Sequence, residues 1–69
     1  MLIGQIKAVF PNRDSGLIEA ENGEVIFFHR ESVERVKLEE LSIRDRVGYE
    51  VKQCEGKRQA VHVGLLLFR

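Results

Sequence analysis

The sequence predicts an all-β fold: a five-stranded antiparallel barrel of Greek-key type, with one long, partly helical connection between its third and fourth strands. Three observations predict it. Short segments in which apolar and polar residues alternate recur along the chain, bounded by Gly, Pro, Asn or Asp, which is the signature of half-buried strands. An Asn22-Gly23 pair separates two of these segments, the strongest short-range signal for a tight hairpin. One stretch only, Arg30–Asp45, drops the alternation for dense charge with scattered apolar residues.

The elements follow in order. "LIGQIKAVF" (2–10) is β-branched and aromatic in a roughly alternating register and ends at Pro11, whose missing N–H disfavours a central ladder. "PNRDSG" is a turn, and "LIEA" (17–20) is the second strand. Asn22 and Gly23 suit the two positive-φ positions of a type I′ turn leading into the third strand. There Val25, Phe27 and His29 fall on one side, and Ile26 and Phe28 on the other.

In "RESVERVKLEELSIRD" the apolar residues Val33, Val36, Leu38 and Leu41 stand among charges, which reads as a short helix or a loop with helical turns. "RVGYEVKQC" alternates Val47, Tyr49 and Val51 against Gly48, Glu50 and Lys52 as a fourth strand. Glu55-Gly56 makes a turn, and "RQAVHVGLLLF" resumes strand character through Ala60, Val61, Val63 and Leu65. Five short strands remove their exposed edges by closing into a small barrel. The long third connection suits the OB type, with an SH3-like barrel the competitor on strand count.

At 69 residues the chain is a single domain, 1–69, near the lower limit at which a small core still supports folding. Cys54 is the only cysteine, so an internal disulfide is excluded, and with two separated histidines it gives no zinc spacing. No cofactor is expected. No apolar run reaches a membrane span, and a reducing, cytoplasmic setting fits best. Cations and anions balance at 11 each, without the basic excess that usually draws a protein to polyanions. Only residues 47–69 lean basic, with four cations against two anions.

Two motifs bring a family into view. "IFFH" at Ile26–His29, followed by Ser32 and Val33, is similar to the Val-Phe-Val-His sequence on the third strand of cold-shock domains. "RDSGLI" at Arg13–Ile18 keeps the positive start, the second Gly and the final Ile of their Lys-Gly-Phe-Gly-Phe-Ile sequence. The chain resembles that family from Gly4 to Val63. The resemblance implies an OB barrel binding single-stranded RNA or DNA on the exposed face of its first three strands.

The departures from the family pattern are chemical. Ala8 stands where the family has Trp, and Ser15, Leu17, Arg30 and Leu38 stand at positions where Phe is usual. Base stacking on an aromatic contributes ~1–3 kcal/mol per base. Losing five rings therefore implies modest affinity and little sequence specificity.

The candidate nucleic-acid-binding residues are Lys7, Arg13, Leu17, Phe27, His29, Arg30 and Arg58. Phe27 and His29 form a two-ring stacking site, the alternative being two ordinary exposed strand residues. Leu17 offers a flat aliphatic support. Lys7 and Arg13 keep positive charge where the family contacts the nucleic acid. Arg30 either lays its guanidinium plane on a base or pairs with Glu31 or Glu34. Lys57 and Arg58 precede "QAVHV", which resembles the family's closing Gln-Ala-x-Asn-Val, and are either contacts or a solubilising turn. Phe10 reads as core filling beside Val9, with a relocated stacking ring as the alternative. Tyr49 reads as a barrel residue with its hydroxyl at the surface, His62 as structural, and Cys54 as an incidental thiol.

Catalysis has no support here. The serines, Cys54 and the histidines fall into no catalytic pattern, the six glycines form no phosphate loop, and the chain is too small for a deep pocket. The competing function is a protein-interaction or self-associating module. It is motivated by the balanced charge, the acidic 31–45 segment and the apolar tail "GLLLFR", which suggests a weak homodimer.

Overall fold

Pro11 cannot donate to a ladder, and the first strand, β1 (Leu2–Phe10), stops immediately before it. The computed structural model describes residues 1–66. A 3₁₀ turn, Pro11–Arg13, ends at Asp14 in the left-handed region (φ 54°), a conformation that Asp tolerates better than most residues. β2 (Ser15–Ala20) begins two residues before the expected Leu17. It is followed by β3 (Val25–His29), β4 (Val33–Glu34), β5 (Arg46–Cys54) and β6 (Lys57–Leu65).

The hydrogen-bonded order is β3-β2-β1-β5-β6-β4, and a parallel β3–β6 pairing, Phe27 to Gln59 and Phe28 to Ala60, closes the five long strands into a barrel. The remaining barrel pairs are antiparallel. The two-residue β4 lies outside this ring and pairs parallel with the end of β6.

The Asn22-Gly23 hairpin forms, but not with a type I′ turn. Gly23 alone has positive φ (90°), while Asn22 does not. Gly23 N–H donates to Ala20 O (2.9 Å), and Ala20 N–H donates to Glu24 O (2.7 Å). This is the three-residue connection in which a type I turn is followed by a left-handed Gly. The Asn22 side chain accepts from Glu24 N–H (2.9 Å) instead of yielding its backbone to a positive φ.

The long connection carries only 3₁₀ turns, at Arg30–Ser32 and Leu38–Glu40, with β4 between them. Its apolar residues work as plugs. Leu38 and Leu41 are buried with Ile6, Ile18, Ile26, Phe28, Val47, Tyr49, Ala60 and Val63 in one core. Ile26 and Phe28 thus face inward as the alternation requires. Tyr49 is 1% exposed, so the expected surface hydroxyl is corrected: burial surrounds the residue and pushes its phenol pKa up.

Two bulges decide which side chains face out. Ile6 pairs with Ile18 and Ala8 with Leu17, leaving Lys7 as an extra residue in β1. An extra residue reverses the alternation beyond it. Val9 therefore turns toward the core and Phe10 is 39% exposed, which corrects the core reading of Phe10. In β6, Tyr49 of β5 opposes both His62 and Val63, and His62 takes φ 52°. Past that bulge Val63 is buried, whereas Val61 is half-exposed. No helix among the described residues is long and apolar enough to cross a membrane.

Candidate nucleic-acid interface

The β1–β2–β3 registers place the outward residues in three cross-strand rows. Gln5, Glu19 and Val25 form the first; Lys7 with Ala8, Leu17 and Phe27 the second; Phe10, Ser15 and His29 the third. The β1 bulge puts Lys7 beside Ala8 on the outer side and carries Phe10 into the third row. The surface that results has two rings, Phe27 and Phe10, each 39% exposed, with half-buried Leu17, Ala8 and His29 around them. Ser15 is buried beneath this face and offers no platform.

His29 is oriented by its own backbone. Glu31 N–H donates to His29 Nδ1 (3.2 Å), so Nδ1 is the acceptor and the ring proton sits on Nε2. The ring therefore carries an N–H donor as well as a stacking face.

The cations fall into two groups. Among the described residues, Lys7, Arg13 and Lys57 are in no ion pair. Arg58 is ion-paired with Glu24, which offsets its charge as a phosphate contact. Phe27, Lys57, Arg58 and Gln59 line a shallow concavity of about 360 Å³, where the start of β6 meets the outer side of β3. A second, of about 380 Å³, is lined by Val9, Phe10, Pro11, Asn12 and Arg13. The stacking surface thus has a cation-bearing hollow at each flank.

Arg30 has a different environment from either sequence reading. Its partners are neither Glu31 nor Glu34. Nε donates to Asp14 Oδ1 (2.7 Å), the two terminal nitrogens donate to both Glu39 oxygens (2.9 and 2.7 Å), and Nη2 also reaches Pro11 O (3.3 Å). The guanidinium is held between the β1–β2 turn and the Leu38–Glu40 turn. These hydrogen bonds raise the Arg30 pKa, and Arg30 in turn holds the Glu39 carboxyl at about 2. Leu38, at 1% exposure, is core and not an outer platform.

Lys7, Arg13, Leu17, Phe27, His29 and Arg58 therefore converge on one side of the barrel, with Arg30 locked at its end. Sequence reasoning missed the outward Phe10 and passed over Gln59, whose only signal was its place in the closing motif. The neutralising Glu24 is 34 positions from Arg58, and no local pattern couples them.

A closed five-stranded barrel with rings on its β1–β3 wall and cations around it has the OB architecture. Residues 2–66 match the model of the "Cold-shock" DNA-binding domain, and the chain belongs to the cold-shock domain family, whose members generally bind nucleic acid. The chain is 27% identical over 63 residues to the "Cold shock-like protein CspA" of Rickettsia typhi, covering 90% of each sequence. Among solved structures it is similar to "drosophila Unr CSD456", with a TM-score of 0.77, 26% identity and 96% of this chain covered. The chain spans 26% of that larger protein's chain.

Proposed function

We propose that this domain is a non-enzymatic binder of single-stranded RNA or DNA, of modest affinity and low sequence specificity, acting through the β1–β3 face. The observation that carries the reading is Phe27, a large ring left 39% exposed in the middle of a strand and flanked by Leu17 and the Lys57–Gln59 segment. An exposed ring in such a setting is costly to keep in water and gains ~1–3 kcal/mol when a base stacks on it. His29, two positions on, takes the neighbouring base and donates through Nε2. Leu17 supports from below, and Phe10 extends the surface toward Arg13.

Lys7, Arg13 and Lys57 neutralise phosphates, with Arg58 contributing once it is released from Glu24. These three cations, on a protein of zero net charge, give a local attraction without long-range steering. Binding therefore weakens as salt rises, with a slope of about −2 in log K against log salt for three contacts to a single strand.

The self-association reading drew on the balanced charge, the acidic 31–45 segment and the apolar tail. Leu65 is half-buried against the core, opposite Val47, and Leu66 N–H is held by Arg46 O. The rest of that tail, 67–69, lies outside the described residues.

The chain has no Trp, and its single Tyr is buried, so a 5′-labelled pyrimidine-rich heptamer followed by fluorescence anisotropy at low salt is the test. Saturable binding in the micromolar range, weakened by Phe27→Ala, is expected. No saturation at high micromolar protein, or no loss in the variant, rejects the proposal.

A further inference from the structure

Beyond the last row of the face, Phe10–Ser15–His29, the chain continues directly into Asp14 on one strand and Arg30 on the other. Backbone and side chain join them: Arg30 N–H donates to Asp14 O (2.7 Å), and Arg30 Nε to Asp14 Oδ1 (2.7 Å). Glu39 completes the group with two bonds to the same guanidinium. One cation shared by two carboxylates leaves the clamp itself net negative by one, both carboxylates are about half exposed, and the neighbouring Arg13 belongs to the hollow on the Phe10 side of it. Four of the five guanidinium N–H groups are engaged by Asp14, Glu39 and Pro11, leaving a single Nη1 N–H beside two carboxylates. At the opposite end of the face, the row Gln5–Glu19–Val25 puts another carboxylate across the path.

We infer that the Asp14–Arg30–Glu39 clamp terminates the binding face, so that the domain engages a short single strand of about four nucleotides, at the bottom of the roughly 4–16 spanned by OB barrels. The inference rests on the proposed binding function and deepens it by assigning the length of the ligand. The second row carries Phe27 with Lys7 and the third carries Phe10 and His29, whereas the positions on either side, Glu19 at one end and Asp14 with Glu39 at the other, present carboxylates. A phosphate next to the clamp meets two acceptors that cannot donate to it, and like charge at close range is repulsive. Arg30 in this role is not a stacking residue. It is the counter-ion that brings two carboxylates together at the end of the site.

The test is affinity against length, using labelled oligothymidylates of three to eight residues at low salt. For the unaltered protein, affinity rises up to about four residues and changes by no more than about two- to threefold from five to eight, the gain expected from extra binding registers alone. Glu39→Lys removes one carboxylate and adds a cation while Arg30 keeps Asp14. Affinity then climbs by about fivefold or more between five and eight residues. Asp14→Asn, which keeps a residue tolerant of left-handed φ, shifts the plateau the same way and serves if Glu39→Lys fails to fold. A steady rise past five residues in the unaltered protein, or a plateau unmoved in folded variants, overturns the inference and leaves the binding function standing. Absence of binding at every length overturns both.

Discussion

Leu17 and Phe27 stand directly opposite one another in the β2–β3 ladder, side by side on the outer wall of the barrel. One half of the pair is a ring and the other is not, which makes it the sharpest place to measure what stacking contributes. Phe27→Ala is expected to lower affinity for a single-stranded heptamer by ~1–3 kcal/mol with little effect on folding, since the ring is partly in water already. Leu17→Phe adds a ring beside it and is expected to raise affinity at least about fivefold. Anisotropy titrations check both. Equal affinities across the three proteins would mean the strand binds elsewhere.

Gly16 lies under the same wall. A Cβ at Gly16 would sit 2.7 Å from Phe28 Cε1 and closer still to Cζ, and Phe28 is 0% exposed with no room to retreat. Gly16→Ala is expected to destabilise by ~1–3 kcal/mol, the usual cost of overpacking. Urea unfolding of Gly16→Ala, Phe28→Leu and the double variant checks it. The double variant should be more stable than the sum of the two single losses predicts, because the smaller side chain removes the clash.

The Arg30–Glu39 pair predicts an acid limit. Arg30 holds the Glu39 carboxyl at about 2, against an ordinary 4.5, helped by its backbone hydrogen bond. A depressed folded-state value means the pair's stabilisation is complete above pH 4.5 and is lost as pH falls toward 2. Melting temperatures of the unaltered protein and Glu39→Gln should differ by a constant margin from pH 7 to about 5 and converge as pH approaches 2. A margin that persists undiminished at pH 2 would show that something other than the carboxylate charge is responsible.

At the β6 bulge the sign reverses. His62 Nδ1 lies 2.6 Å from Glu34 Oε2, and this contact, with weaker help from Glu50 against Lys52, raises the His62 pKa above 6.5. Its stabilisation is therefore complete below pH 6.5 and fades as pH rises through the higher folded-state value. His62 also holds φ 52°, where Gly is the unstrained residue of such a bulge. His62→Gly is expected to raise Tm by a few degrees at pH 8.5 and by less at pH 6, where the lost ion pair offsets the relieved backbone. The same melting temperature change at both values would argue that the ion pair contributes nothing.

Much of the fold was legible because period-two alternation and turn residues act locally. In "VIFFH" adjacency put Phe27 and Phe28 on opposite faces, and the likeness to the cold-shock motif indicated that Phe27 is the outward one. The first strand was misread for the same reason: alternation extrapolated through Lys7 sends Phe10 inward. An extra residue has no local signature, because the bend it provides is needed only when the sheet closes on itself.

Of the site, Lys7, Leu17, Phe27 and His29 were legible by position in a motif, and their convergence followed once the strands were paired. The partners of the charged residues were not. Asp14, Arg30 and Glu39 come from three separate segments, and Glu24 and Arg58 from two.

The sequence by itself determined the five barrel strands, though not the two-residue β4, the places of the hairpins and which residues of β3 share a face, since these depend on backbone preferences and on side-chain period over a few residues. Tertiary structure alone decided which carboxylates lie at the ends of the β1–β3 face and which of the described cations along it are in no ion pair. Ion pairing depends on distances between segments far apart in the chain, and those distances exist only after the barrel has closed.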